Sequence, residues 1–216
     1  MTRLGEITSE ANPLSPAPPP SWFRGVIQGK TRIALAWIFV AILGFTAREY
    51  PTWPGITLCL IGATLRFWAS GYLRKDSRPA VGGPYAYVRN PLYLGTYLMA
   101  LGVALSVESW ALLAATTVLF AVIYHYIILD EETKLRRIFG EPYSVYCTAV
   151  PRFFPRLLPA FLPAHRKALD AVNPDLEHRQ YSWSISMKNK SYEAYASFAG
   201  LVGLVAALAF AWKLLG

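Results

Sequence analysis

Five apolar stretches, at residues 33–47, 53–73, 92–107, 110–129 and 194–215, dictate what this chain can become. A helix needs about 20 predominantly apolar residues to cross the hydrocarbon of a bilayer. The second, fourth and fifth stretches meet that requirement. The first and third are short and reach it only with flanking residues or a locally thinned bilayer. The rest of the 216 residues agrees: 54% are apolar and 16% charged, against about 25% charged in ordinary soluble domains. So much apolar surface with so little charge excludes disorder for most of the chain and argues against a freely soluble enzyme. The expected fold is an all-α, polytopic membrane helical bundle of about five transmembrane helices, with a cytosolic pocket built from loops and helix ends.

Residues 1–31 form a Pro-rich arm, with Pro13, Pro16 and the run Pro18, Pro19 and Pro20; such a segment packs poorly. Its basic start, with apolar character beginning only near Ile33, does not fit a cleavable signal peptide. Residues 32–216 read as one membrane domain, with a motif core at 82–155, an interfacial segment at 156–193 and the last span at 194–215. Eighteen of the 21 Lys and Arg residues fall in the N-terminal segment up to Arg32, the second loop and the segment 130–190. Basic loops stay in the cytosol, so the N-terminus is expected there and the C-terminus on the opposite side. The same bias accounts for the net charge of +8 without a nucleic-acid partner. Cys59 and Cys147 suit neither a disulfide framework nor a zinc-ligand spacing, and no metal is expected. Within 130–191, a helix is expected near 165–172. The run 181–187 alternates like a half-buried strand, although an amphipathic helix starting near Ser182 also fits. Trp110, Trp183 and Trp212 suit aromatic belts at the bilayer surface.

Two segments carry chemistry. The second loop reads Gly82-Gly-Pro-Tyr-Ala-Tyr-Val-Arg-Asn-Pro-Leu-Tyr-Leu-Gly95. Gly and Pro preset a tight backbone, and Asn90-Pro91 marks the start of the next helix. Free amides at that start, beside Arg89, would hold an anion. A loop re-entering the membrane, with Tyr85, Tyr87 and Tyr93 as anchors, fits the composition equally. The fourth apolar stretch ends in Asp130, Glu131 and Glu132, three acids where basic residues normally flank a span. At helical spacing Tyr124 shares a face with Glu131, and His125 with Glu132. Glu132 and Arg136 stand at a pairing distance of one turn.

These residues, with the later run Phe139-Gly140-x-x-Tyr143-x-x-Tyr146 and Val150-Pro-Arg-Phe-Phe-Pro155, closely resemble the isoprenylcysteine carboxyl methyltransferase family. Its wider group includes the membrane phospholipid N-methyltransferases. The resemblance covers about residues 82–155, a third of the chain, and joins three motifs in order. It implies an enzyme that uses S-adenosyl-L-methionine, leaves S-adenosyl-L-homocysteine, and takes a lipophilic or prenylated acceptor through a membrane-facing opening. Carried over by position, the cofactor ligands would be Tyr85, Val88, Arg89, Asn90, Pro91, Tyr93, Gly95, Glu131, Glu132, Leu135, Tyr143 and Tyr146. Arg152, Glu131 and Glu132 would act at the reacting centre. Asn90 departs from the family, which usually has His there. An amide donates and accepts but does not titrate near neutrality, so a proton-transfer role at that position is lost.

Methyl transfer from a sulfonium is an in-line displacement, governed by alignment and exclusion of water. Glu131 or Glu132 suits the ammonium and ribose hydroxyls, and Arg89 or loop amides suit the carboxylate. An acceptor that is already a carboxylate needs no general base, and Arg152 could position it. An amine acceptor needs one, such as His125. Carboxyl methylation of an isoprenylcysteine-like acceptor is therefore the leading expectation, with lipid N-methylation second. An NADPH-dependent reductase resembling the sterol reductases and a non-catalytic membrane scaffold are the further alternatives. Arg66, inside the second stretch, is either functional or snorkels to the interface. Gly95 and Gly102 suit close helix packing or the approach of the cofactor.

Overall fold

The computed structural model describes residues 39, 41–74, 78–155 and 163–215, and every regular element among them is helical. They are α1 (Trp53–Ser70), a 3-10 turn (Gly83–Ala86), α2 (Pro91–Ser106), α3 (Trp110–Phe139), α4 (Glu141–Ala149), α5 (Pro163–Val172), α6 (Trp183–Lys188) and α7 (Glu193–Leu215). The expected N-terminal arm and residues 33–38 and 40 of the first apolar stretch lie outside the described residues; 41–46 are helical. The run 181–187 resolves as helix rather than strand, because the Ser182 hydroxyl accepts from the Ile185 amide and starts α6.

Helices α1 and α2 form the tightest pair. Both open on proline in the first turn, where a missing N–H costs nothing. Their contact is set by glycines seven residues apart on each helix, Gly55 and Gly62 against Gly95 and Gly102. A Cβ on Gly62 would meet the Gly95 carbonyl at 2.5 Å, and one on Gly102 the Gly55 carbonyl at 2.7 Å. No side chain fits there, so the backbones touch. Arg66 lies at the same seam. Its NH1 donates to the Leu92 carbonyl (3.3 Å) and to the Thr96 hydroxyl, which ties α1 to the first turns of α2 rather than sending the charge to the interface.

α3 starts at Ser109, whose hydroxyl accepts from the Leu112 amide, and stops at Gly140, at φ 64°. Its 30 residues span about 45 Å at 1.5 Å per residue, well beyond a hydrocarbon core of about 30 Å. The helix therefore continues unbroken past the apolar stretch and carries its acids beyond it. Among the described residues, α3 and α7 are long and apolar enough to cross a membrane. Their outer faces stay apolar: Val118, Leu119 and Val122 on α3, and Phe210, Leu214 and Leu215 on α7, are exposed. Such faces suit lipid rather than water. α2, at 16 residues, reaches only about 24 Å.

Two cores result. One gathers Leu43, Cys59, Met99, Val103, Leu112 and Val205 from the helical segment 41–46, α1, α2, the start of α3 and α7. The other packs Val81, Tyr143, Tyr146, Val150, Leu169 and Val172 between the loop after α1, α4 and α5. A strap after α5 holds that loop through its backbone. Asn173 donates to the Pro79 carbonyl (3.2 Å), Ser182 N–H to Gly71 (3.1 Å), and the Asn189 amide to Ser70 and Leu73 (2.9 and 2.7 Å).

Candidate functional site

The loop 78–91 is held in place before any ligand arrives. Gly82 and Gly83 turn it against Tyr72 and the Arg179 carbonyl. The Tyr146 hydroxyl donates to the Tyr85 carbonyl at 2.7 Å, His165 Nε2 lies 2.9 Å from the Ala86 carbonyl, and Arg89 N–H donates to Pro151 at 2.9 Å. Asn90 Nδ2 donates to the Arg152 carbonyl at 2.9 Å. The amide at this position thus clasps two motifs that stand 62 residues apart.

A cavity of about 390 Å³ opens between this loop, the first turn of α2, the end of α3 and α4. Tyr85, Arg89, Asn90, Pro91, Tyr93, Glu131, Leu135, Tyr143 and Tyr146 line it. Nine of the residues expected to hold a cofactor therefore meet in one place. Three do not line it. Val88 is buried and faces a separate apolar groove with Trp68 and Tyr87. Gly95 lies in the α1–α2 seam, where its Cβ position abuts Arg66 Cγ. Glu132 lies behind the cavity wall. Arg74, Arg78 and Phe139 also line the cavity and escaped the sequence reading. The basic pair was visible there only as a marker of orientation.

The charges in the cavity are placed unequally. Glu131 is half-buried, and its Oε2 accepts from the Tyr93 hydroxyl at 2.5 Å. The Arg89 side chain is 9% exposed, and its Nε and NH1 make no hydrogen bond. NH1 stands 3.1 Å from Glu132 Oε1 in ion-pair contact only. Both nitrogens are sealed from solvent, and Arg89 meets the cavity with the remaining part of its side chain, where a guanidinium suits an anion. Burial pushes Tyr85, Tyr143 and Tyr146 far above the ordinary phenol range, and the Glu131 charge adds to the shift at Tyr85. These hydroxyls stay protonated and act as donors and walls, not as bases. Burial likewise raises Cys147, opposed by Arg89.

Glu132, 1% exposed, accepts a two-pronged bond from Arg152 Nε and NH2, both at 3.0 Å. That bond also holds the Arg152 guanidinium above its usual pKa. The expected Glu132–Arg136 pair does not form: the adjoining arginine instead donates to the Ser144 hydroxyl at 3.2 Å. Two guanidiniums at close range outcompete one a turn away along the helix. Arg152 itself faces a second cavity of about 260 Å³, walled by Tyr97, Phe120, Tyr124, His125, Phe153 and Phe154. Phe120 and Tyr124 stack there at 3.7 Å. Among the described residues, no cluster of three metal-binding side chains occurs.

Residues 50–142 match the family described as phospholipid methyltransferase. The chain is 32% identical over 138 residues to the cobalt-zinc-cadmium resistance protein CzcN of Cupriavidus metallidurans, covering 60% of this chain and 63% of that protein. It is 29% identical over 152 residues to the nickel-cobalt-cadmium resistance protein NccN of Alcaligenes xylosoxydans xylosoxydans, covering 66% of this chain and 71% of that one. The match thus spans less than two thirds of the first relative's length. No solved structure matches the chain. The matched segment runs from the start of α1 to α4 and holds both the clasped loop and the paired glutamates. Over residues 50–142 the chain is thus similar to the phospholipid methyltransferase family, the isoprenylcysteine-type group of membrane methyltransferases.

Proposed function

We propose that the protein is an integral membrane methyltransferase that binds S-adenosyl-L-methionine in the larger cavity and methylates a lipophilic acceptor at the cytosolic edge of the bilayer. The observation that carries this reading is the pairing of opposite charges on one wall. Arg89 and Glu131, the latter half-buried on Tyr93, line the same cavity and complement the carboxylate and ammonium of one amino-acid head. The first turn of α2 lines the same space and adds its free amides to the carboxylate side. Tyr85, Phe139 and Tyr143 give apolar walls for the rest of the ligand.

When bound, the cofactor supplies an electrophilic methyl group on sulfur. The residues contribute alignment and a dry cavity. Arg89 and Glu131 fix the head, and the Tyr146–Tyr85 bond holds the loop beside it. Rate in such a displacement comes from holding donor and acceptor in line. Arg152 and the aromatic second cavity suit an acceptor with an anionic head and an apolar tail. A carboxylate acceptor of the isoprenylcysteine kind needs no base, and the buried tyrosines of the larger cavity offer none. Lipid amine methylation is the second reading, favoured by the family description and by His125 beside Arg152 in the aromatic cavity, where an imidazole could take a proton.

In this reading the five apolar stretches all cross the bilayer, the N-terminus is cytosolic and the C-terminus lies opposite. Calorimetry with S-adenosylhomocysteine and, in parallel, NADPH tests the cofactor on the purified full chain in detergent. Binding of S-adenosylhomocysteine alone supports the proposal. Binding of NADPH alone overturns it in favour of a reductase, and binding of neither favours a scaffold. A prenylcysteine analogue and vesicles containing phosphatidylethanolamine then separate carboxyl from amine methylation by product.

A further inference from the structure

Glu132 touches neither cavity, yet it joins them. Arg89 lines the larger cavity and not the aromatic one; Arg152 lines the aromatic one and not the larger. Both guanidiniums converge on the single Glu132 carboxylate, and on the same oxygen: Oε1 accepts from Arg152 Nε at 3.0 Å and stands 3.1 Å from Arg89 NH1. The backbones behind them are locked by Asn90 to the Arg152 carbonyl and by Arg89 N–H to Pro151, so the two side chains share the carboxylate without drifting apart. One buried negative charge serves two positive ones, so a change in one pairing alters what the carboxylate offers the other arginine.

We propose that Glu132 is a positioning residue that couples the two cavities, and that Arg152 limits its hold on Arg89 to a single contact. With Arg152 engaged in the two-pronged bond, Glu132 reaches Arg89 through the one NH1 contact at 3.1 Å, while Arg89 still lines the larger cavity. Without the Arg152 charge, Glu132 turns wholly to Arg89 and neutralises it, and a carboxylate in the larger cavity loses its partner. The inference rests on the reading that this cavity takes the cofactor. It differs from a shared ligand role for the two glutamates: Glu131 meets the ligand and Glu132 sets the charge that Arg89 can offer.

The test is a double-mutant cycle read by calorimetric binding of S-adenosylhomocysteine to the full chain in detergent, with helical content and thermal melts recorded for every variant. Arg152→Met is expected to weaken binding by about fivefold or more, the lower range of inter-site couplings. Arg152→Lys, which keeps the charge, is expected to bind within about twofold of the wild type. Glu132→Gln added to Arg152→Met is expected to restore the lost affinity, because the competing carboxylate is gone. A merely structural role predicts the opposite, since the double variant would bind worse than either single one. Arg152→Gln gives the same comparison if the methionine variant does not fold. Unchanged affinity in the neutral Arg152 variants, or failure of Glu132→Gln to rescue them, overturns the coupling while leaving the cofactor reading intact. No binding by the folded wild type overturns both.

Discussion

Glu131 and Glu132 are adjacent in sequence and identical in chemistry, so replacing each by Gln is the sharpest check on the geometry. Successive residues of a helix point about 100° apart. One carboxylate therefore faces the cavity on Tyr93, and the other is buried at 1% exposure between Arg89 and Arg152. Glu132→Gln removes the charge from a buried pair and leaves two guanidiniums facing each other. Breaking such a pair by removing one partner costs about 3–5 kcal/mol. Arg152 is 36% exposed, so water screens its side of the pair, and the lower figure of about 3 kcal/mol applies. At roughly 2–4 °C per kcal/mol for a chain of this size, the melting temperature should fall by about 6–12 °C. Glu131→Gln keeps a hydrogen-bond acceptor for Tyr93 in a half-open site and should shift it by less than about 2 °C. Affinity for S-adenosylhomocysteine should respond in the reverse sense, falling about tenfold or more in Glu131→Gln from the loss of a charge-assisted bond. Scanning fluorimetry and calorimetry on the two variants side by side decide the matter. Equal melting shifts, or a larger affinity loss in Glu132→Gln, would refute the division of roles.

Glycine substitutions should differ in sign along the bundle. Gly102→Ala drives a methyl into the Gly55 carbonyl and should cost about 1–3 kcal/mol. In Gly200→Ala the new Cβ meets nothing within 4 Å, so it should gain up to about 1 kcal/mol of helix propensity; denaturant titration in detergent reads both. Asn90→Asp removes the donor to the Arg152 carbonyl and should weaken S-adenosylhomocysteine binding. Asn90→His keeps a donor and should largely preserve binding, by calorimetry. Tyr85, Tyr143 and Tyr146 ionise more readily in the unfolded chain, at about pH 10, than in the folded one, where burial raises them. Their contribution to stability is complete below about pH 10 and lost as pH rises above it. An alkaline titration of phenolate absorbance should show these three silent until the helical signal collapses.

The helices were legible because their causes are local. Apolar runs, Pro54 and Pro91 at helix starts and Gly140 at the end of α3 all announce themselves in the chain. The seven-residue spacing of Gly95 and Gly102 likewise pointed to close packing, and it is matched by Gly55 and Gly62 on the helix they touch. The strap after α5 was not legible. Asn173, Ser182 and Asn189 hold the loop by donating to backbone carbonyls, and a carbonyl leaves no mark in the sequence for a distant side chain to match.

The site divides along the same line. Motif spacing brought Arg89, Asn90, Tyr93, Glu131, Tyr143 and Tyr146 to one cavity, because short motifs on rigid helix starts and ends carry their own geometry. What spacing could not carry is which charge meets which. Glu132 has Arg136 one turn away and Arg152 twenty residues away, and local arithmetic favours the near partner. The fold reverses that order. The Val150–Phe153 turn is anchored through Arg89 N–H and Asn90, so the distant guanidinium arrives already positioned and gives up little freedom on pairing. Arg136, held instead by Ser144, would have to abandon that bond. Pairing in a buried site is thus decided by which arginine the backbone has fixed in place. A chain with an intact Glu-Glu motif but without the Asn90 clasp should lose the Glu132–Arg152 bond before it loses the helices that carry it.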